Sequence, residues 1–171
     1  MSDVLATTLN LLRELRDTDV LFVATPIVLS STYRAMAEPV GILNTMKEVG
    51  AFAEGTVGAE NIPEFAEFGD RIMYVDGKVG FNAFATTPLD EVLRSRGIRH
   101  VLVCGMVTSL CIDSTGRAAY ERGFDVLIIS DCSSARTALE QDFYCSSVFP
   151  LYARTITAEE FATELRQPVS S

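Results

Sequence analysis

The chain of 171 residues, 48% hydrophobic and 22% charged, has the size and balance of one domain, residues 1–171, built around one substantial core. Its formal charge of −9, with no basic run to offset it, argues against nucleic acid and anionic membrane surfaces as partners. The apolar stretches are strand-sized, no charged-then-apolar leader opens the chain, and four cysteines in so long a sequence read as free thiols, so the expected location is cytoplasmic.

The first element is amphipathic. Val4, Leu5, Leu9, Leu11, Leu12 and Leu15 recur at helical spacing between Asp3 and Arg16, which predicts a surface helix. Val20 to Thr25 reads as a short buried strand stopped by Pro26. From Ser30 to Gly58 the pattern weakens, with Met46, Val49 and Phe52 able to line a short helix and Gly55–Ala59 reading as a turn. A second strand, Arg71 to Asp76, ends at Gly77-Lys78. A helix then opens with Thr87 as N-cap and Pro88 at its first position, and closes at Gly97.

Arg99 to Cys104 is the next strand. It breaks at Gly105 and re-forms as a helix that carries Cys111 in its first turn and runs to about Arg122, with Gly123 as a left-handed cap. Val126 to Ile129 is a further buried strand ending at Asp131. Thr137-x-x-Glu140 has capping-box spacing for a helix to about Val148. A short strand from Tyr152 to Ile156 precedes a second such box, Thr157-x-x-Glu160, and a C-terminal helix, with a frayed tail from Gln167. Apolar strands alternating with helices predict an α/β fold, a parallel sheet with helices on both faces in the manner of a Rossmann-like three-layer sandwich.

Cys111 has the address of a nucleophile. It follows the carboxyl end of a parallel strand, where open α/β sheets bind ligands, and the free N–H groups and positive dipole of a helix start favour a thiolate. The plainer alternative is a small buried hydrophobe. The only imidazole, His100, begins the strand whose far end leads to Cys111, so roughly 13 Å of extended chain separates it from that end and a Cys–His dyad is disfavoured. Lys78 follows a strand's carboxyl end on the expected site edge, as an anion-stabilising ammonium or as a solvated loop lysine. Asp131 is the best-placed carboxylate, either for proton transfer or as a cap on the following turn, with Asp76 and Asp113 weaker. With a single His and no C-x-x-C pair, no metal is expected.

From Gly55 to Leu165 the sequence resembles the isochorismatase-like cysteine hydrolases. The resemblance rests on Gly55-Thr56-Val57-Gly58-Ala59, on Gly77-Lys78-Val79-Gly80-Phe81 with Phe84 and Thr87-Pro88-Leu89-Asp90, and on Gly105-Met106-Val107-Thr108-Ser109-Leu110-Cys111. Ser114-Thr115-Gly116-Arg117, Ser130-Asp131-Cys132, Phe149-Pro150 and Thr157 to Phe161 extend it. It implies a six-stranded parallel sheet and hydrolysis of a C–N bond in a small amide, without a cofactor, in a homo-oligomer. Cys111 would be the nucleophile, Lys78 the triad lysine, and the backbone N–H groups of Val107 and Cys111 the oxyanion site, with a cis Met106–Val107 bond. Phe84 is the candidate substrate contact.

The sequence departs from the family at one point. The family's triad Asp ends a strand preceding its first helix, and this sequence begins at that helix. The expectation is therefore either that Met1 is an internal methionine of a longer protein or that the chain is an N-terminally truncated relative of reduced activity. For the latter, Asp131, by its position at a strand end, is the candidate substitute carboxylate. The Asp-x-His element of nicotinamidases is also absent, which argues against a nicotinamidase with bound zinc or iron. The alternatives are an isochorismate-type vinyl ether hydrolase and a catalytically impaired scaffold or oligomer subunit.

Overall fold

A computed structural model of the chain describes residues 2–30 and 38–167. The frayed tail predicted from Gln167 lies outside these residues from 168 onward, as does part of the weakly patterned stretch, 31–37. The chain divides into two compact units, one of Met1–Val20 with Glu91–Ser171 and the other of Leu21–Asp90.

The first unit is built on three parallel strands, β3 (His100–Met106), β4 (Asp125–Ser134) and β5 (Arg154–Ile156), in the order β3-β4-β5. Its helix α1 (Ser2–Glu14) buries Leu9 and Leu11, with Leu15 buried just beyond, and packs against β4 (Asp125–Ser134) and α6 (Ala158–Arg166). The apolar stripe read from the sequence is thus the packed face. Arg166 Nη2 reaches Glu14 Oε2 at 2.7 Å between the two helices. Helix α4 (Asp113–Glu121) packs against β4 and β3 (His100–Met106). It ends as the sequence predicts, with Gly123 at φ 82° and the Phe124 N–H closing on the Ala119 carbonyl. Four successive buried residues, Val126 to Ile129, show β4 covered on both faces.

β3 differs from expectation in two ways. Gly105 does not end the strand, which continues to Met106, and only Val103 along it is fully buried. It is hydrogen-bonded to β4 alone among the described strands, so one of its edges lacks the ladder that a central strand has. β4 is also longer than its apolar core. Val103 pairs with Ile128 and Gly105 with Ser133, so β4 bulges away from β3 between those pairs. Asp131, expected at the strand's end, sits inside this bulge. β5 (Arg154–Ile156) pairs with Leu127 to Ile129, and α6 follows with both halves of the Thr157/Glu160 capping box formed.

The second unit carries a two-stranded parallel sheet, β1 (Phe22–Ala24) with β2 (Ile72–Tyr74). Where a single parallel sheet was expected, the strands thus form two. Hydropathy identifies strands but not which neighbours they bond. Pairing continues beyond β2, because Val75 N–H donates to the Ala24 carbonyl and Ile27 bridges Lys78. Helix α2 (Ile42–Glu48) contains Met46, while Val49 is exposed and Phe52 lies beyond its end at φ 56°. Phe52 packs instead against fully buried Leu29, together with Ile27, Leu43, Ala53 and Val79. Helix α3 (Leu89–Ser95), which belongs to the first unit from Glu91 onward, is capped by Thr87, whose Oγ1 accepts from Leu89 N–H at 3.2 Å, and Gly97 follows it at φ 67°. Among the described residues no helix is long and apolar enough to cross a membrane.

Candidate active site

The segment from Val107 to Ile112 is not the first turn of a regular α-helix. Thr108–Ile112 forms a single wide turn that runs into α4, and the Val107 carbonyl accepts the N–H groups of Leu110 at 3.0 Å and Ile112 at 3.3 Å. The intervening Cys111 N–H, the α-helical partner of that carbonyl, is passed over. This leaves it free of the bond that would otherwise hold it in the helix, which an oxyanion donor requires. The Met106–Val107 peptide is cis, as the resemblance implies. Cys111 is half-buried and the next residue, Ile112, is buried.

Two long-range ties hold this turn. Thr108, 0% exposed, donates from Oγ1 to Gln141 Oε1 at 2.7 Å, and Ser109 Oγ donates to Glu140 Oε1. Both acceptors belong to α5 (Ala138–Phe143). The predicted capping box at Thr137 is therefore half formed: Thr137 Oγ1 accepts from Glu140 N–H at 3.1 Å, while the Glu140 carboxylate serves Ser109 and Arg136. Those bonds, Ser109 first and Arg136 next, hold the Glu140 carboxyl below its ordinary range. Gln141 and Glu140 escaped the sequence reading because their partners lie 33 and 31 residues away, and the local spacing already explained Glu140 as a cap.

Asp131 Oδ1 accepts the Ala158 N–H at 2.8 Å, adding to the N-terminus of α6, where a carboxylate is favoured by the unpaired N–H groups and the dipole. It lines a pocket of about 260 Å³ with Thr7, Asn10, Glu14, Glu159 and Arg166. Asp113 is engaged by Arg117 Nε at 3.0 Å and by the Tyr152 hydroxyl at 3.2 Å. His100 is exposed at the start of β3, 3.4 Å from Asp125, where the strand argument put it.

In the second unit Lys78 is 6% exposed, which removes the solvated-loop alternative. A lysine is rarely buried so fully without a partner or a task. Its backbone is held by the bridge to Ile27, and Gly77 at φ 98° makes the turn before it. A Cβ on Gly77 would stand 2.8 Å from the Thr86 carbonyl oxygen, so glycine is required there. Phe84 is buried, with its N–H donated to Asn82 Oδ1 at 2.8 Å. Among the described residues no three His, Cys, Asp or Glu side chains cluster as metal ligands would.

The Isochorismatase domain matches residues 1–160. The uncharacterized isochorismatase family protein YwoC of Bacillus subtilis is 32% identical over 115 residues, 64% of this chain and 61% of YwoC. The ureidoacrylate amidohydrolase RutB of Klebsiella pneumoniae is 38% identical over 56 residues, 33% of this chain and 24% of that protein. The chain thus spans less than two thirds of the length of these curated relatives. A cysteine hydrolase from Pseudomonas syringae shares the fold at a TM-score of 0.82, with 22% identity over 96% of this chain and 80% of the other.

Proposed function

This chain belongs to the isochorismatase family, whose relatives include amidohydrolases, and from that premise we propose that it hydrolyses a C–N bond of a small amide through the Cys111 thiolate. The observation that carries the reading is the wide turn in which the Val107 carbonyl passes over the Cys111 N–H. Cys111 Sγ attacks the amide carbon and the carbonyl π electrons move to oxygen. The resulting oxyanion is stabilised by the N–H groups of Val107 and Cys111. Collapse re-forms the carbonyl and breaks the C–N bond, and the amine leaves with a proton. Water then cleaves the thioester to the carboxylic acid, returning the thiol.

Lys78 is given the stabilisation of the anionic states because its motif, Gly77-Lys78-Val79-Gly80-Phe81, resembles that of the family's triad lysine. Asp131 is the carboxylate proposed to carry the thiol proton to the amine, a role it would share with its cap on α6.

The test is turnover of a panel of small amides, ureido acids included. Cys111→Ala should reduce hydrolysis to blank, and Lys78→Met should lower kcat by roughly 10²–10³-fold with the fold intact. Hydrolysis that survives Cys111→Ala would end the covalent reading. An Asp131→Asn variant that loses stability but keeps its rate would return that residue to capping alone.

A further inference from the structure

We propose that Gln141 is a positioning residue that sets where the Cys111 thiol and the N–H groups around it stand. The proposal rests on the reading of Cys111 as nucleophile. Gln141 Nε2 donates at 3.0 Å to the carbonyl of Ser130, inside the bulge in β4, and at 3.4 Å to that of Ser133, where pairing with Gly105 of β3 resumes, with Cys145 Sγ also at 3.4 Å. Its Oε1 accepts the Thr108 hydroxyl at 2.7 Å. The amide can face only one way, because a flip would turn its oxygen toward two carbonyl oxygens. One side chain therefore joins the irregular part of the sheet to the irregular start of the helix.

Thr108 lies one residue after Val107 and three before Cys111, so its position passes directly to both N–H groups. In a regular helix the bond from residue i to i−4 would fix that geometry. Here the bond at Cys111 is passed over, and a tie from outside the turn takes its place. Thr108 is fully buried, so without Gln141 its hydroxyl has to move to find an acceptor or remain unpaired. The Ser109–Glu140 bond on the next residue makes the attachment two-pointed.

The experiment reads the thiol directly. Cys111 carbamidomethylation is followed by peptide mass spectrometry across pH in Gln141→Leu, Thr108→Val, the double variant and Thr108→Ser. A Phe161→Leu variant in the core of α6 serves as a control for lost stability. Gln141→Leu and Thr108→Val should each slow labelling at neutral pH roughly tenfold, less than the ~100-fold that a 1 Å misplacement of a reacting group can cost. The double variant should be no slower than either single one, Thr108→Ser should keep the wild-type rate, and Phe161→Leu should lower the melting temperature without changing the rate.

If Gln141→Leu melts earlier but labels at the wild-type rate and pH dependence, Gln141 is only a structural residue and the proposal fails. Additive effects in the double variant would overturn it equally, since the two residues would then not act through their shared bond. Should Gln141→Leu fail to fold, Thr108→Val tests the same bond from its other end. Because alkylation needs no substrate, these outcomes stand apart from whether Cys111→Ala abolishes amide hydrolysis.

Discussion

Four thiols in one chain allow a comparison of environment at constant chemistry. Burial pushes Cys104 up to about 12, with the neighbouring Cys132 adding to the shift, although the residue as a whole touches solvent. Burial likewise pushes Cys132 up to about 11, and it raises Cys145, with Asp142 contributing. All three shifts favour the protonated thiol, which is the poorer nucleophile. Cys111, half-buried in the wide turn, should therefore be the fastest to react with limiting iodoacetamide in the folded protein. Peptide mass spectrometry ranks the four, and faster labelling of any other cysteine removes the support for the nucleophile assignment.

The two Thr-x-x-Glu segments show at the level of elements that one pattern can serve two purposes. At α6 the reciprocal bonds are local: Glu160 N–H donates to Thr157 Oγ1 at 3.2 Å and Thr157 N–H to Glu160 Oε2 at 2.7 Å. At α5 the glutamate reaches Ser109 and Arg136 instead. Thr157→Ala should cost about 1 kcal/mol, typical of a lost N-cap, measured from the urea midpoint. An unchanged midpoint would mean that Asp131, bonded to Ala158 N–H, holds the helix end by itself. Helix stops were equally legible in sequence. Gly97 and Gly123 both take positive φ where the chain leaves a helix, because glycine has no Cβ to oppose it.

For the whole molecule, acid is the informative variable. Glu140 and Glu160 sit below the ordinary 4.5 in the folded state, Glu140 through Ser109 and then Arg136, Glu160 through the backbone N–H and then the hydroxyl of Thr157. A depressed folded value stabilises the protein above the unfolded value, and that contribution disappears as pH falls through the folded one. The melting temperature should therefore hold from pH 7 to about 5 and decline below the ordinary 4.5 of these groups. The net charge of −9 vanishes near the pI of 4.6, so association should accompany the decline. Calorimetry across pH checks this, and a melting temperature that is flat to pH 3.5 would refute it. Glu160→Gln should flatten the acid limb.

Sequence by itself determined the element order, the helix caps, the buried run from Val126 to Ile129 and the cysteine to test, because these follow from spacing, glycine and capping chemistry within a few residues. It also carried the family, since those motifs are contiguous. Tertiary structure decided the rest. Lys78 could be read as solvated or buried until its surroundings were known, and Asp131 as a strand end until β4 proved to bulge past β3. The strand partners, the use of Glu140 on Ser109 and the bridge from Thr108 through Gln141 to the β4 carbonyls join residues far apart in the chain. A hydrogen bond across 33 residues leaves no local trace, because nothing in the spacing of either partner requires the other.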